Sequence, residues 1–202
     1  MSRHRPLHHR DVHRATRREA LLDAALEVIR HQGPGASMRE MAAAAGITKP
    51  ILYRYFGDRD GLLAAVADRF SDELVETLGA AMSAAPNDPR GRIEGGLDAF
   101  LRFMEDEGAT YRFLTARAAA AGPTITSVVD RVSQPLSLII GEEMRSLGAD
   151  SGAAEPWAYG IVGMAHAAGV RWQANPTMPR QQLVAYLVAL VWQGMAGFAD
   201  AE

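Results

Sequence analysis

Apolar positions in this chain recur at spacings of three and four rather than two, and turn-forming clusters stand far apart, a pattern of amphipathic helices with almost no strand signal. Three short helices are predicted first. "TRRE" opens the first, with Thr16 and Glu19 as a capping box, and Leu21, Leu22, Ala25, Val28 and Ile29 form its stripe up to Gly33-Pro34-Gly35. "SMRE" opens the second, Ser37 with Glu40, and Gly46 stops it after a run of alanines. The third begins at Thr48, tolerates Pro50 because it lies in the first turn, and ends near Phe56-Gly57-Asp58.

A longer helix is predicted from Asp60 to about Ala84, with Leu62, Leu63, Val66, Phe70, Leu74 and Leu78 on one side. Beyond "APNDPRG" come "RIEGGLDAFLRFMEDEG", a shorter "YRFLTARAAAAG", and a segment from Thr124 to Leu147 that Pro135 should kink or split. Two last helices, Pro156 to Ala174 and Pro179 to Ala196, are separated by "NPTMP". The predicted fold is all-α, without internal repeats or low-complexity segments.

Residues 37–56 read as two short helices joined by a tight turn, with Ala42 where helices must approach closely and Gly46 where the turn needs positive φ, the geometry of a helix-turn-helix. On a helical wheel Lys49, Pro50, Tyr53 and Arg54 share an arc of roughly 140°, and Leu52 faces the other helices. Such a face suits a DNA major groove. Lys49 and Arg54 match phosphates or guanine edges, Pro50 and Ile51 thymine methyls, and the phenols phosphate oxygens. The competing reading makes "ILYRYF" plain core and Lys49, the chain's only lysine, merely solvated.

Charge sharpens the picture. The net charge of -3 divides into 12 Lys+Arg against 8 Asp+Glu in residues 1–69, and 9 against 16 in residues 70–202. Residues 1–18 alone carry six arginines and one aspartate, a basic arm able to lie along phosphates or to stay solvated. There is no cysteine, no apolar leader, and no apolar run beyond about ten residues, so a soluble cytoplasmic protein without membrane attachment is expected. His4, His8, His9 and His13 lack a carboxylate cluster and are not read as a metal site. His166 is read as a structural histidine, and "EDE" at 105–107 and "EE" at 142–143 as solvated faces. No cofactor is expected, and the absence of HExxH, phosphate-loop and nucleophile-elbow motifs speaks against a small helical enzyme.

Over residues 17–65 the sequence resembles the TetR family of bacterial transcription regulators, and beyond that the likeness is architectural. The resemblance implies a flexible basic arm (1–15), a helix-turn-helix DNA-binding domain (16–60), and a helical effector-binding and dimerisation domain (61–202). It places Ser37 and Arg39 at the start of the helix before the recognition helix, makes Thr48 to Tyr55 the recognition helix, and sets Tyr53 and Tyr55 against the DNA backbone. Arg59 stands where the family usually has lysine, and Gly33-Pro34-Gly35 departs from its usual aromatic-containing turn. In the body, Phe70, Leu74, Phe100, Phe103, Met104, Phe113, Val128, Val132 and Met144 are candidates to line an effector pocket, for a lipid-like ligand such as a fatty acid or acyl-CoA, or an apolar drug. Gly160, Gly163, Ala167 and Gly169 on the penultimate helix, with Leu183, Leu187, Leu190, Val191 and Met195 on the last, are candidates for a four-helix homodimer interface. The expected function is a ligand-responsive repressor binding a palindromic double-stranded operator as a dimer; the alternatives are a constitutive DNA-binding dimer or a small enzyme.

Overall fold

The structure is a computed structural model that describes residues 9–85, 88–121, 124–146 and 148–199, without side chains at 9–11, 116–121, 124–127 and 195–199. Its helices are α1 (His9–Gln32), α2 (Met38–Ala44), α3 (Lys49–Phe56), α4 (Arg59–Ser83), α5 (Pro89–Asp106), α6 (Gly108–Ala121), α7 (Thr124–Ser146), α8 (Ala154–Ala174) and α9 (Arg180–Ala199), with short 3-10 turns at Gly33–Gly35 and Ser151–Ala153. No strand occurs among the described residues, and no helix there is long and apolar enough to cross a membrane.

Two predicted features come out differently. Helix α1 starts at His9, so Thr16 is not its cap: the hydroxyl donates to the Val12 carbonyl at 3.0 Å inside the helix. Residues 9–15 of the expected arm are therefore helical, while residues 1–8, with His4 and His8, lie outside the described residues. Pro135 does not split α7. Pro135 and Arg131 are both exposed, so the carbonyl four residues back that loses its N–H partner is left on the wet side of the helix.

The chain divides into two compact units. One holds the described residues up to Asp68 together with those of Ala109–Thr124. Its core comes from Leu21, Leu22, Ala25, Leu26 and Ile29 of α1, Met38, Met41 and Ala42 of α2, Leu52 and Phe56 of α3, and Leu62 and Val66 of α4. Leu26 takes the place that the sequence stripe gave to Val28, which is half-buried. The α6 residues of this unit add Tyr111, Phe113 and Leu114, and burial pushes the Tyr111 phenol up to about 12.

The second unit is organised on α5, against which α8 and α9 pack. The Phe70 and Phe103 rings meet edge to face at 5.1 Å. Gly169 keeps α8 close to α5: a Cβ there would stand 3.2 Å from Leu101 Cδ2 and 3.3 Å from Phe100 Cε1. Arg180 anchors the start of α9, donating from Nε to Asp98 at 2.9 Å and from Nη1 to Glu105 at 2.5 Å. A satellite cluster of Ile140, Ala154 and Ala158 joins α7 to α8, with Leu136, Met144, Trp157 and Ile161 against it.

Candidate nucleic-acid interface

Helix α2 is held open at its start by the predicted capping box. The Ser37 amide donates to Glu40 Oε2 at 3.1 Å, and the Glu40 amide donates back to Ser37 Oγ at 3.3 Å. The Ser37 hydroxyl also donates to the same carboxylate at 2.5 Å, and this bond, followed by the backbone one, holds the Glu40 carboxyl below its ordinary range. The Ser37 proton is thereby committed to Glu40.

The turn that follows is closed by Gly46 N–H to the Ala43 carbonyl at 3.0 Å and Ile47 N–H to the Ala42 carbonyl at 2.9 Å, with Gly46 at φ +66°. Thr48 then takes the N-cap position of α3 and its carbonyl accepts from Leu52 N–H at 3.1 Å, but its hydroxyl makes no capping bond. That hydroxyl is exposed and uncommitted, the reverse of Ser37.

Helix α3 buries Leu52 and Phe56 on one side. Lys49, Pro50 and Arg54 are exposed, and Ile51, Tyr53 and Tyr55 half-exposed. The cations lean on the phenols: Lys49 Nζ sits 5.4 Å from the centre of the Tyr53 ring, and the Arg54 guanidinium 5.8 Å from that of Tyr55. The helix ends at Gly57, φ +85°, and Asp58 immediately caps α4, its Oδ1 accepting from Gly61 N–H at 2.8 Å. Gly61 has to be glycine, because a Cβ there would run into the Phe56 carbonyl oxygen. Arg39 on α2 and Arg59 at the start of α4 are exposed too, so all ten predicted DNA-binding residues lie in one unit and none is sealed into its core.

Residues 21–66 match the family model described as bacterial regulatory proteins, tetR family, and residues 77–202 match that of the tetracyclin repressor-like C-terminal domain. The chain belongs to the TetR family. It is 33% identical over 191 residues to an uncharacterized HTH-type transcriptional regulator of Mycobacterium tuberculosis strain H37Rv, covering 94% of this chain and 81% of the relative. It is 28% identical to the HTH-type transcriptional activator FasR of Mycolicibacterium smegmatis, covering 91% and 84%. A TetR-family regulator from Streptomyces coelicolor has the same fold, with a TM-score of 0.71 at 24% identity over 93% of this chain and 84% of that one.

The TetR body is arranged differently from the expectation in two respects. Phe70, Leu74, Phe100, Phe103, Met104, Val128 and Val132 are buried in the second unit, but Phe113 lies in the first and Met144 in the satellite cluster. These side chains are packed core. Two open clefts lie among the described residues, of about 420 Å³ beside Asp98, Arg102 and Phe103 and about 650 Å³ beside Val75, Arg131, Pro135 and Leu138. Of the candidate lining only Phe103 reaches either one.

Among the dimer candidates, Leu183, Leu187 and Val191 are spent inside the protomer, since that stripe of α9 is buried and α9 packs on α5, and Gly169 is buried against α5. Gly160, Ala167 and Leu190 are exposed and Gly163 half-exposed, with open space over both glycines; the side chain of Met195 lies outside the described residues. Val170 and Tyr186, not anticipated, are also exposed. His166 is partly buried, which alone pushes its pKa down.

Two further residues carried no sequence signal. The Arg18 guanidinium lies 4.8 Å from the centre of the Phe56 ring, tying α1 to the end of α3. Ser133, in the middle of α7, is fully buried with no hydrogen-bond partner for its hydroxyl among the described residues.

Replacing Ser37 by alanine removes an N-cap and should cost about 1 kcal/mol, read by thermal unfolding. Because the folded pKa of Glu40 is depressed, the box stabilises fully above the ordinary carboxylate value of 4.5 and fades as pH falls through the lowered one. The gap between wild type and Ser37→Ala should accordingly hold at neutral pH and narrow on acidification below 4.5; a gap that widens there would contradict the assignment.

Proposed function

We propose that this transcriptional regulator binds duplex DNA through the outward face of α3, with Lys49, Tyr53 and Arg54 at the groove and Thr48, Tyr55, Arg39 and Arg59 on flanking phosphates. The single observation that carries this reading is the pairing of a buried Leu52 stripe with an exposed face of cation, ring and phenol on an eight-residue helix. Thr48 supplies the hydroxyl that Ser37 does not. Pro50 and Ile51 offer apolar surface for thymine methyls. Ser37 acts through Glu40, fixing where α2 begins.

Two copies would place their recognition helices in successive major grooves, roughly 34 to 36 Å apart on a palindromic site. The dimer reading is supported by the apolar surface left over on α8 and α9. Gly160, Gly163, Ala167 and Val170 follow one another at helical spacing on α8, and Tyr186 and Leu190, 58% and 62% exposed, stand one turn apart on α9. These replace the buried leucines in the proposed four-helix contact.

The body takes a small, largely apolar effector, of the fatty-acid or acyl-CoA kind, and releases DNA on binding it. An apolar core with the unpartnered Ser133 hydroxyl supports a ligand having both a hydrocarbon part and a polar one. Because the candidate lining is packed, the ligand has to select a conformer in which those side chains move apart, and it shifts the equilibrium only by its preference for that conformer. Occupancy of a promoter by the dimer makes the protein a repressor by exclusion, in contrast to the relative named as an activator.

Lys49→Ala and Tyr53→Ala should each abolish or greatly weaken binding to DNA selected by the wild-type chain, with the circular dichroism spectrum intact; unchanged gel shifts would refute the groove assignment. Leu190→Asp should convert a sedimenting dimer into a folded monomer, and a wild-type monomer at micromolar concentration would remove the four-helix contact. In a purified transcription reaction the chain should lower transcription from a promoter carrying its site, and a long-chain acyl-CoA should restore it. A rise on adding the chain would make it an activator.

A further inference from the structure

The first turns of α1 carry a feature that the helix-turn-helix does not use. From Val12 to Arg17 every residue is exposed, and the buried stripe of α1 begins only at Leu21. At about 100° per residue, His13, Arg14 and Arg17 fall within an arc of about 100°, and Arg10 occupies a register position inside it. Neither Arg14 nor Arg17 has an acidic partner among the described residues. The helix thus sets two exposed guanidinium groups, Arg14 and Arg17, on one face.

With every side chain from Val12 to Arg17 exposed, this stretch gains nothing locally from that arrangement, whereas a polyanion along the face would relieve the mutual repulsion of the guanidinium groups. The base of the extension is tied to the recognition helix, because Arg18, one residue on from the basic face, stacks over Phe56 at the end of α3 within the same unit. We propose that the N-terminal turns of α1 are a second DNA-contacting element, in which Arg14 and Arg17 lie along phosphates flanking the half-site read by α3. The inference rests on the DNA-binding reading of α3 and adds to it a footprint that is electrostatic and indifferent to base sequence.

The test uses the full chain and a duplex it has selected, in two lengths: one with several base pairs of flank outside each half-site, one trimmed to the half-sites. Arg14→Gln/Arg17→Gln removes two charges while keeping good helix formers. On the long duplex the slope of log affinity against log salt should be shallower by about four for the double variant, which loses two charges from each protomer of the bound dimer. From 0.05 to 0.2 M salt the wild type should therefore lose about a hundredfold more affinity than the variant. On the trimmed duplex the two proteins should converge. Arg14→Lys/Arg17→Lys should restore the wild-type slope, which a structural role for the guanidinium groups would not. Equal slopes for wild type and the glutamine variant on the long duplex would overturn the proposal while leaving α3 as the reader of the groove. If Lys49→Ala bound as tightly as wild type, the reading of α3 would fall instead.

Discussion

The burial of Leu52 sets the whole outward face of the helix-turn-helix. An eight-residue helix is far below the length, about 12 to 15 residues, at which a helix holds itself together in water, so α3 exists only by virtue of what it packs against. Leu52 and Phe56, one turn apart, are its only buried residues, and burying that stripe fixes the rotation of the helix about its axis. Once Leu52 points inward, Pro50 and Arg54 are turned outward, and Lys49, at the first position of the helix, is exposed as well. Met41 and Ala42 form the facing core of α2, and Gly46 bends the chain between the two helices in a conformation other residues rarely adopt.

Much of this was legible because it is local. Gly46 and Gly57 sit where short helices must stop, and both have positive φ; Ser37 and Glu40 are three apart and form the box their identities suggest. The same four-residue signature misleads at Thr16 and Glu19, because a cap works only where the chain arrives from outside a helix. Nothing between His9 and Thr16 breaks one, so α1 continues backwards through the supposed start. The stacking of Arg18 on Phe56 and the closeness of Gly61 to the Phe56 carbonyl join positions that only tertiary structure brings together, and no periodicity points to them.

The body was harder to read for a physical reason. Helix α9 is apolar on nearly every side, so spacing alone does not say which stripe faces the protomer and which a partner. The ion pairs of Arg180 with Asp98 and Glu105 seat the start of α9 on α5 and spend Leu183, Leu187 and Val191 inside the protomer, leaving Tyr186 and Leu190 outside. Likewise, apolar residues that could have framed a cavity are instead packed together, Phe70 against Phe103 among them. Periodicity counts how much apolar surface a helix has, and not whether that surface closes on protein or on a ligand.

The most direct test of the central claim uses the fact that Lys49 is the chain's only lysine and is exposed. Acylation by an amine-reactive reagent, followed by mass spectrometry, reads the accessibility of Lys49 without altering the protein. With the selected duplex bound, the rate at Lys49 should fall at least about tenfold relative to the free protein. A Lys49 that reacts equally fast on and off the duplex would show that the outward face of α3 is not where DNA lies.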